Sequence, residues 1–207
     1  MMFNDVTEVS MEPQPARAYS PTLYESLEAL PEGVTGEILD GQLHAQPRPA
    51  VPHAMVGSVL GADLLGPFQK GIGGPGGWWI IDEPEIHFVR DIEVTVPDLA
   101  GWRRQRMPYI PEGHRIEVVP DWVCEILSPS TASKDREVKM PLYARYGVPY
   151  AWLIDPGKQT LEVYRIDDGI WIESGFFSGT DQVAAPPFEA VSIDLGLFWP
   201  PRGPVSV

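Results

Sequence analysis

The chain has 207 residues, 43% of them apolar, which fits one globular domain of ordinary size and excludes a disordered or fibrous protein. Its 29 acidic residues against 15 Lys and Arg give a formal net charge of −14. This charge favours solubility and argues against a nucleic-acid binder that relies on an overall basic surface. Contact with phosphate would need a bound metal or a local group of cations. The sequence offers two such groups: Arg103, Arg104 and Arg106, and Lys134, Arg136, Lys139 and Arg145.

The chain carries no sign of secretion or of membrane insertion. Cys124 is the single cysteine, so no internal disulfide can form and a reducing compartment is expected. The first residues lack the basic and apolar segments of a signal peptide. No stretch reaches the roughly 20 apolar residues that span a bilayer. We expect a cytoplasmic protein without a membrane partner.

In the N-terminal part, residues 1–18 are predicted to be a flexible leader. Ser20 is predicted as the N-cap of a helix that ends before Gly33. Residues 36–47 have the pattern of two short strands joined at Asp40-Gly41. Apolar positions over residues 53–70 predict a helix with a wide buried face.

The middle of the chain is rich in predicted strands. Four apolar runs read as strands: Trp78–Asp82, Glu85–Val89, Glu93–Pro97 and Trp122–Leu127. The stretch Arg103–Pro120 is predicted to be a long polar loop.

The C-terminal part begins with a predicted helix over Ser133–Tyr146, with Ser133 as N-cap and Gly147 as its stop. A strand over 150–155 and a hairpin turning at residues 167–169 follow, and a short tail element is expected near 192–198. We therefore predict an α/β (α+β) domain over 19–200, a mixed sheet flanked by helices with additional β-hairpins, and a C-terminal tail over 201–207.

Glu125 is the polar exception in an otherwise apolar strand. Alternation places Val123, Glu125 and Leu127 on one face and Trp122, Cys124 and Ile126 on the other. A carboxylate in such a strand is costly unless a partner compensates its charge. A metal ion and a Lys or Arg side chain are equally good partners on this feature alone.

Two further groups could complete a site around Glu125. Asp98 follows Pro97, where a predicted strand leaves the sheet, and Lys139 lies at the edge of the buried stripe of the helix after Glu125. Carboxylates hold Mg²⁺ through one or two oxygens, and a nearby Lys can orient or deprotonate a water. The alternative for Lys139 is a solvated side chain paired with Asp135.

The segment Glu125–Thr131, continued by Asp135–Pro156, closely resembles a bacterial family described as putative restriction endonucleases, formerly a domain of unknown function, with a PD-(D/E)xK nuclease core. Upstream, Gly36–Gly41 is similar to the Glu-bearing early motif of that family, and Pro52-His53 to the start of its next helix. Val96–Leu99 is similar to its Pro-Asp motif. The resemblance covers residues 19–198.

The resemblance implies a set of site residues. Asp98 and Glu125 would be metal ligands, together with the backbone carbonyl of Ile126, and Lys139 would supply the ammonium group. Glu37 would add a further carboxylate; otherwise it is a surface acid beside a turn. The chain departs from the general nuclease pattern at Leu127, where that pattern has Lys.

Other residues are weaker candidates for the site. His53, at the start of a helix, is predicted either to contact a phosphate group or to cap the helix or pack against its neighbours. Asp121 forms a second Pro-Asp pair but is expected to be a solvated residue at the start of a strand. Cys124 is predicted to be core. The remaining histidines, His44, His87 and His114, show no metal-ligand spacing.

The function expected from this resemblance is Mg²⁺-dependent hydrolysis of DNA phosphodiester bonds, with Mn²⁺ as a substitute metal and a homodimer as a common arrangement. One alternative is a catalytically inactive module that keeps the nuclease fold and binds nucleic acid or has a regulatory role. The acidic charge and Leu127 favour this alternative. Another is an acidic binding domain in which Asp98, Glu125 and Lys139 do not converge.

Overall fold

The computed structural model describes residues 20–47 and 49–199. The predicted leader over 1–18 and the tail over 201–207 lie outside these residues. The described chain forms two larger mixed sheets, one small antiparallel pair of strands and a few helices. None of the helices in these ranges is long and apolar enough to cross a membrane.

The larger sheet has six strands in the order β11-β10-β9-β8-β6-β3. Neighbouring strands are antiparallel except for β8 and β9, which run parallel. The connection between these two passes through the helical segment that follows Glu125, as parallel pairing requires a crossover. The strand bounds are β3 (Trp78–Asp82), β6 (Leu99–Arg103), β8 (Trp122–Ile126), β9 (Tyr150–Asp155), β10 (Thr160–Asp167) and β11 (Ile170–Ser178).

The second sheet has five strands in the order β2-β1-β5-β4-β7. Its hairpin turns at Asp40 and Gly41, both with positive φ, which confirms the predicted turn. Its strands are β1 (Val34–Leu39), β2 (Gln42–Pro47), β4 (Glu85–Val89), β5 (Glu93–Thr95) and β7 (Arg115–Ile116). The small separate pair is β12 (Gln182–Val183) and β13 (Ile193–Asp194), followed by a 3₁₀ turn over Leu195–Leu197.

Three helical segments flank the sheets. The first is α1 (Leu23–Glu28), and the second is α2 (Val51–Leu64) with a π-helical turn over Leu65–Gln69. The third runs through α3 (Ala132–Lys134), a π-helical turn over Asp135–Lys139 and α4 (Met140–Arg145). Gly147, at φ 73°, follows this last segment, as predicted.

The central strand β8 is buried on both faces, and this explains its apolar sequence. Trp122, Cys124 and Ile126 pack in the cluster that contains the apolar face of α2. Val123 and Leu127 pack in the cluster that contains α4. The alternation predicted for this strand is therefore confirmed, including the core position of Cys124, which is fully buried.

Three predictions about elements were wrong. The N-cap of α1 is Thr22, which forms a capping box with Glu25, because Ser20 lies before the helix. Ser133 lies inside the third helical segment. The stretch from Leu99 to Arg103 forms the interior strand β6, so Asp98 precedes a strand rather than ending one. Almost every residue of β6 is buried, as is typical of a strand covered on both faces. The strand therefore lacks the alternation of apolar and polar residues that would have predicted it.

Candidate active site

Strand pairing places Asp98 beside Glu125. In the antiparallel pair of β6 and β8, Leu99 lies opposite Cys124. Continuing that register by one residue puts Asp98 opposite Glu125. Asp98 Oδ2 accepts a hydrogen bond of 2.6 Å from the amide of Ile126, which fixes its carboxylate next to the end of β8.

His53 is the second partner of Asp98. Its Nε2 lies 3.2 Å from Asp98 Oδ2, and Nδ1 is buried without a hydrogen-bond partner among the described residues. Burial would lower the pKa of His53, but the hydrogen bond and charge of Asp98 outweigh it and raise that pKa. The third residue of α2 therefore carries positive charge more readily than an ordinary histidine.

Glu125 is almost completely buried, with 3% of its surface exposed. Its Oε1 accepts a 2.5 Å hydrogen bond from the hydroxyl of Tyr143 and lies 2.8 Å from Lys139 Nζ. Burial raises the pKa of Glu125 well above its ordinary value; Lys139 opposes this rise, while nearby carboxylates add to it. The hydrogen bond and the ion pair that described residues make to Glu125 both fall on Oε1, so Oε2 is the oxygen that we consider for a ligand.

Lys139 joins two carboxylates in the interior. Its Nζ lies 2.9 Å from Glu37 Oε1 and 2.8 Å from Glu125 Oε1, and it donates to the carbonyl of Val96 at 3.1 Å. Only 1% of the residue is exposed. Burial would lower the pKa of Lys139, but Glu125 and Glu37 raise it well above its ordinary value. Lys139 is therefore protonated, and the alternative of a solvated Lys is wrong.

Glu37 lies on β1 and is fully buried, so the alternative of a surface acid beside a turn is also wrong. It accepts from the amide of Val96 at 3.0 Å and from Lys134 Nζ at 2.5 Å. Burial would raise the pKa of Glu37, but the ammonium groups of Lys139 and Lys134 lower it to about 2. Glu37 is thus a charged anchor for Lys139.

A cavity of about 320 Å³, here called the site cavity, opens onto these groups. Its walls include Asp98, Glu125, Ile126 and His53, the residues expected to bind a metal or phosphate. Glu37 and Lys139 lie behind Glu125, since both are fully buried. The structure therefore brings the predicted set together in two layers, one facing the cavity and one supporting it.

Sequence reasoning missed two members of this site. Asp135 is only 3% exposed and lines the site cavity, although its position in the first turn of a helix suggested a solvated charge. Burial raises the pKa of its carboxyl group, and Lys139 opposes that rise. Tyr143 was assigned no role, yet it holds Glu125. Its spacing, one turn after Lys139, was the available signal.

The other candidates are placed elsewhere. Asp121 is buried, not solvated: its carboxylate bonds Arg106 at 2.8 Å and the amide of Arg103 at 2.8 Å. Two of the scattered histidines, His87 and His114, both lie near Glu85. Among the described residues, however, no group of three or more His, Cys, Asp or Glu side chains could hold a metal ion.

The donor set at the site cavity still fits Mg²⁺. This ion is commonly bound by one or two carboxylates, with waters and substrate phosphate completing six oxygen ligands. Asp98 and Glu125 supply that pair, and Ile126, whose carbonyl is the further candidate ligand, directly follows Glu125 in the chain. The side-chain contacts of Asp98 fall on Oδ2, which leaves Oδ1 for an ion. Glu37 does not fit as a direct ligand because two ammonium groups already occupy its oxygens.

Comparison with known proteins agrees with this architecture. The chain is similar to a crystal structure described as a putative nuclease belonging to DUF820 from Anabaena variabilis ATCC 29413, with a TM-score of 0.68 and 24% identity over 87% of this chain and 98% of that one. That likeness confirms the predicted nuclease-like α+β fold. No curated protein matches. The model of the Uma2 family, described as "Putative restriction endonuclease", matches residues 22–196. The chain therefore belongs to the Uma2 family.

Proposed function

We propose that this protein is a Mg²⁺-dependent endonuclease that hydrolyses phosphodiester bonds in DNA. The observation that carries the proposal is the pairing of Asp98 with Glu125 at the wall of an open cavity, with the Lys139 ammonium directly behind them. Family membership supports a nuclease as the class of activity.

Asp98, Glu125 and the Ile126 carbonyl would hold the metal ion. When bound, Mg²⁺ neutralises charge on the phosphate and lowers the pKa of a coordinated water. The protein contributes a fixed carboxylate pair, since the Ile126 amide holds Asp98 and the Tyr143 hydroxyl holds Glu125. Mn²⁺ is expected to substitute because it takes the same oxygen ligands.

In this proposal Lys139 acts as a fixed positive charge. Its raised pKa favours the charged form, and its three short contacts hold it behind the carboxylates. It compensates the charge of Glu125 and Glu37, so that the carboxylates can remain in the interior. This arrangement accounts for Leu127 in the position where the general nuclease pattern has Lys. In the same proposal, His53, which lies beside Asp98, contacts a phosphate oxygen of the substrate.

Cleavage of supercoiled plasmid with Mg²⁺, Mn²⁺ or EDTA tests the proposal. We expect metal-dependent nicking that Asp98→Asn and Glu125→Gln abolish, with circular dichroism showing that both variants are folded. Asp121→Asn is the matched control, because it alters the other Pro-Asp pair, which bonds Arg106 outside the site cavity. Nicking that persists in EDTA, or that the control loses as completely as Asp98→Asn, would contradict the assignment.

A nuclease fold that binds nucleic acid without cleaving it is the second candidate. Leu127, in the position where the general nuclease pattern has Lys, is the observation that favours it. Binding of DNA without cleavage by the wild type in either metal would select this candidate. The homodimer stays a prediction.

A further inference from the structure

A second cavity of about 450 Å³, here called the side cavity, adjoins the site cavity. The two share three residues of the proposed site, His53, Asp98 and Ile126, while Glu125 lines the site cavity alone. A group attached to a phosphate at Asp98 would therefore have this space next to it. The volume falls within the roughly 300–1,000 Å³ of small-molecule sites.

The side cavity exists because α2 presents small residues toward the sheet. One wall is made of residues three and four apart on that helix: Ala54, Gly57, Ser58, Gly61 and Ala62. The opposite wall carries the larger side chains of Ile80, Leu99 and Ile126. A Cβ at Gly57 would lie 3.3 Å from Ile126 Cδ1 and one at Gly61 3.8 Å from Leu99 Cδ2, so α2 packs closely on the sheet at these glycines. The open space runs beside them, along the small exposed residues Ala54, Ser58 and Ala62.

The chemistry of the walls selects an uncharged occupant. The interior is mainly aliphatic, which disfavours an unpaired charge. Asp82 lines the same cavity away from the proposed metal ligands and would repel a second phosphate. Among the described residues that line either cavity there is no Lys or Arg. The part of a nucleotide that fits is therefore its base.

We propose that the side cavity binds the base of one unpaired nucleotide next to the phosphate to be cleaved, so that single-stranded or locally opened DNA is the preferred substrate. This inference rests on the proposed nuclease function. A base stacked in a duplex cannot enter a cavity between a helix and a sheet, so it must already be unpaired or leave the stack. Burial of its flat apolar faces contributes affinity that does not depend on cationic side chains.

Two variants fill the side cavity while leaving the core in place. Ser58 and Ala62 are exposed positions one turn apart on α2, and both line the cavity. We expect Ser58→Leu and Ala62→Leu to fold like the wild type, as thermal unfolding will show. Val51→Leu is the matched control, because Val51 is 82% exposed on the same helix and lines neither cavity.

The first measurement is binding of a single-stranded oligodeoxynucleotide that carries one 2-aminopurine, with Ca²⁺ in place of Mg²⁺. We expect the wild type and Val51→Leu to change the fluorescence, and Ser58→Leu and Ala62→Leu to weaken binding about tenfold. An oligonucleotide with an abasic site in place of the 2-aminopurine should compete about tenfold less well than the intact strand. Equal binding by all four proteins, or equal competition by the abasic strand, would overturn the inference.

The second measurement compares cleavage of single-stranded, gapped and fully paired DNA of the same sequence. We expect the wild type to cleave the unpaired region at least about tenfold faster than the duplex, and the leucine variants to lose this preference. Equal cleavage of all substrates leaves the nuclease in place and refutes the base site. If no substrate is cleaved, the nuclease proposal fails, and the fluorescence titration still decides whether a base enters the cavity.

Discussion

At the scale of single residues, the site contains more carboxylates than positive charges, so each ammonium group compensates more than one carboxylate. Lys139 contacts Glu37 and Glu125 directly and attracts Asp135, while Asp98 lies close enough to Glu125 to repel it. The pKa of Glu37 is lowered, while that of Glu125 is raised. The two ammonium groups thus stabilise the anionic form of Glu37, whereas burial outweighs the attraction of Lys139 at Glu125 and leaves its anionic form less stabilised. This difference fits a metal ion at Glu125 and a supporting role for Glu37.

Replacing Glu37 should destabilise the fold in a pH-dependent way. The folded pKa of about 2 lies below the ordinary 4.5, so the charge of Glu37 stabilises the protein above about pH 4.5, by about 3 kcal/mol. This contribution is lost as the pH falls toward 2. In urea unfolding, the free energy of unfolding of Glu37→Gln should be lower than that of the wild type by this amount at pH 7, and the difference should shrink below pH 4.5. The exposed Glu32→Gln serves as control, and a deficit independent of pH would contradict the ion-pair account.

Removing the Tyr143 hydroxyl should impair the site more than the fold. Tyr143→Phe keeps the ring that packs near Phe88 and loses the hydrogen bond to Glu125. Groups that orient metal ligands affect metal affinity or activity by about 10–100-fold, and we expect a higher metal concentration at half-maximal cleavage. Tyr146→Phe, whose ring stacks on Phe88, is the control. An unchanged metal requirement in Tyr143→Phe would show that the hydroxyl does not position Glu125.

At the scale of elements, two glycines test how closely the helices approach the sheets. A Cβ at Gly36 would lie 2.5 Å from Leu30 Cδ1 and 2.9 Å from Leu27 Cγ, so Gly36→Ala should destabilise the protein by about 1–3 kcal/mol. At Gly61 the nearest atom, Leu99 Cδ2, is 3.8 Å away. Gly61→Ala should therefore stabilise α2 by about 0.5–1 kcal/mol. Thermal unfolding measures both, and shifts of the same sign would contradict the packing described for α1 and α2.

Local pattern was enough to predict some elements and not others. The bounds of β3, β4 and β9 follow from apolar runs that end at turn residues, and the observed bounds agree. The strand β6 was not recognised because its nearly continuous burial removes the alternation of apolar and polar residues that marks a half-buried strand. The roles of Asp135 and Tyr143 depend on how the third helical segment lies over β8, which is a tertiary contact that spacing alone does not give.

At the scale of the whole molecule, the charge of −14 has to be reconciled with a nucleic-acid substrate. Most of the cations that could have formed a basic surface are engaged in ion pairs. Affinity should therefore depend on the metal ion and on base burial more than on phosphate contacts. The resemblance of sequence motifs predicted the family and the main site residues, but the distribution of charge over the surface required the fold.

Salt dependence measures this balance directly. Because no Lys or Arg is among the described residues that line the two cavities, we expect few phosphate contacts to cations. The logarithm of the binding constant for single-stranded DNA should therefore fall against the logarithm of salt concentration with a slope shallower than about −2, which corresponds to about three phosphates. Fluorescence anisotropy between low and physiological salt, at constant Ca²⁺, gives this slope. A value several times steeper would reveal a basic binding surface and contradict the account.

The most direct test of the central claim is anomalous diffraction from crystals of the protein grown with Mn²⁺. The account predicts a peak bound by Asp98, Glu125 and the carbonyl of Ile126, facing the site cavity, and no such peak in Glu125→Gln. A metal seated on Glu37, or at a place away from Asp98 and Glu125, would contradict it.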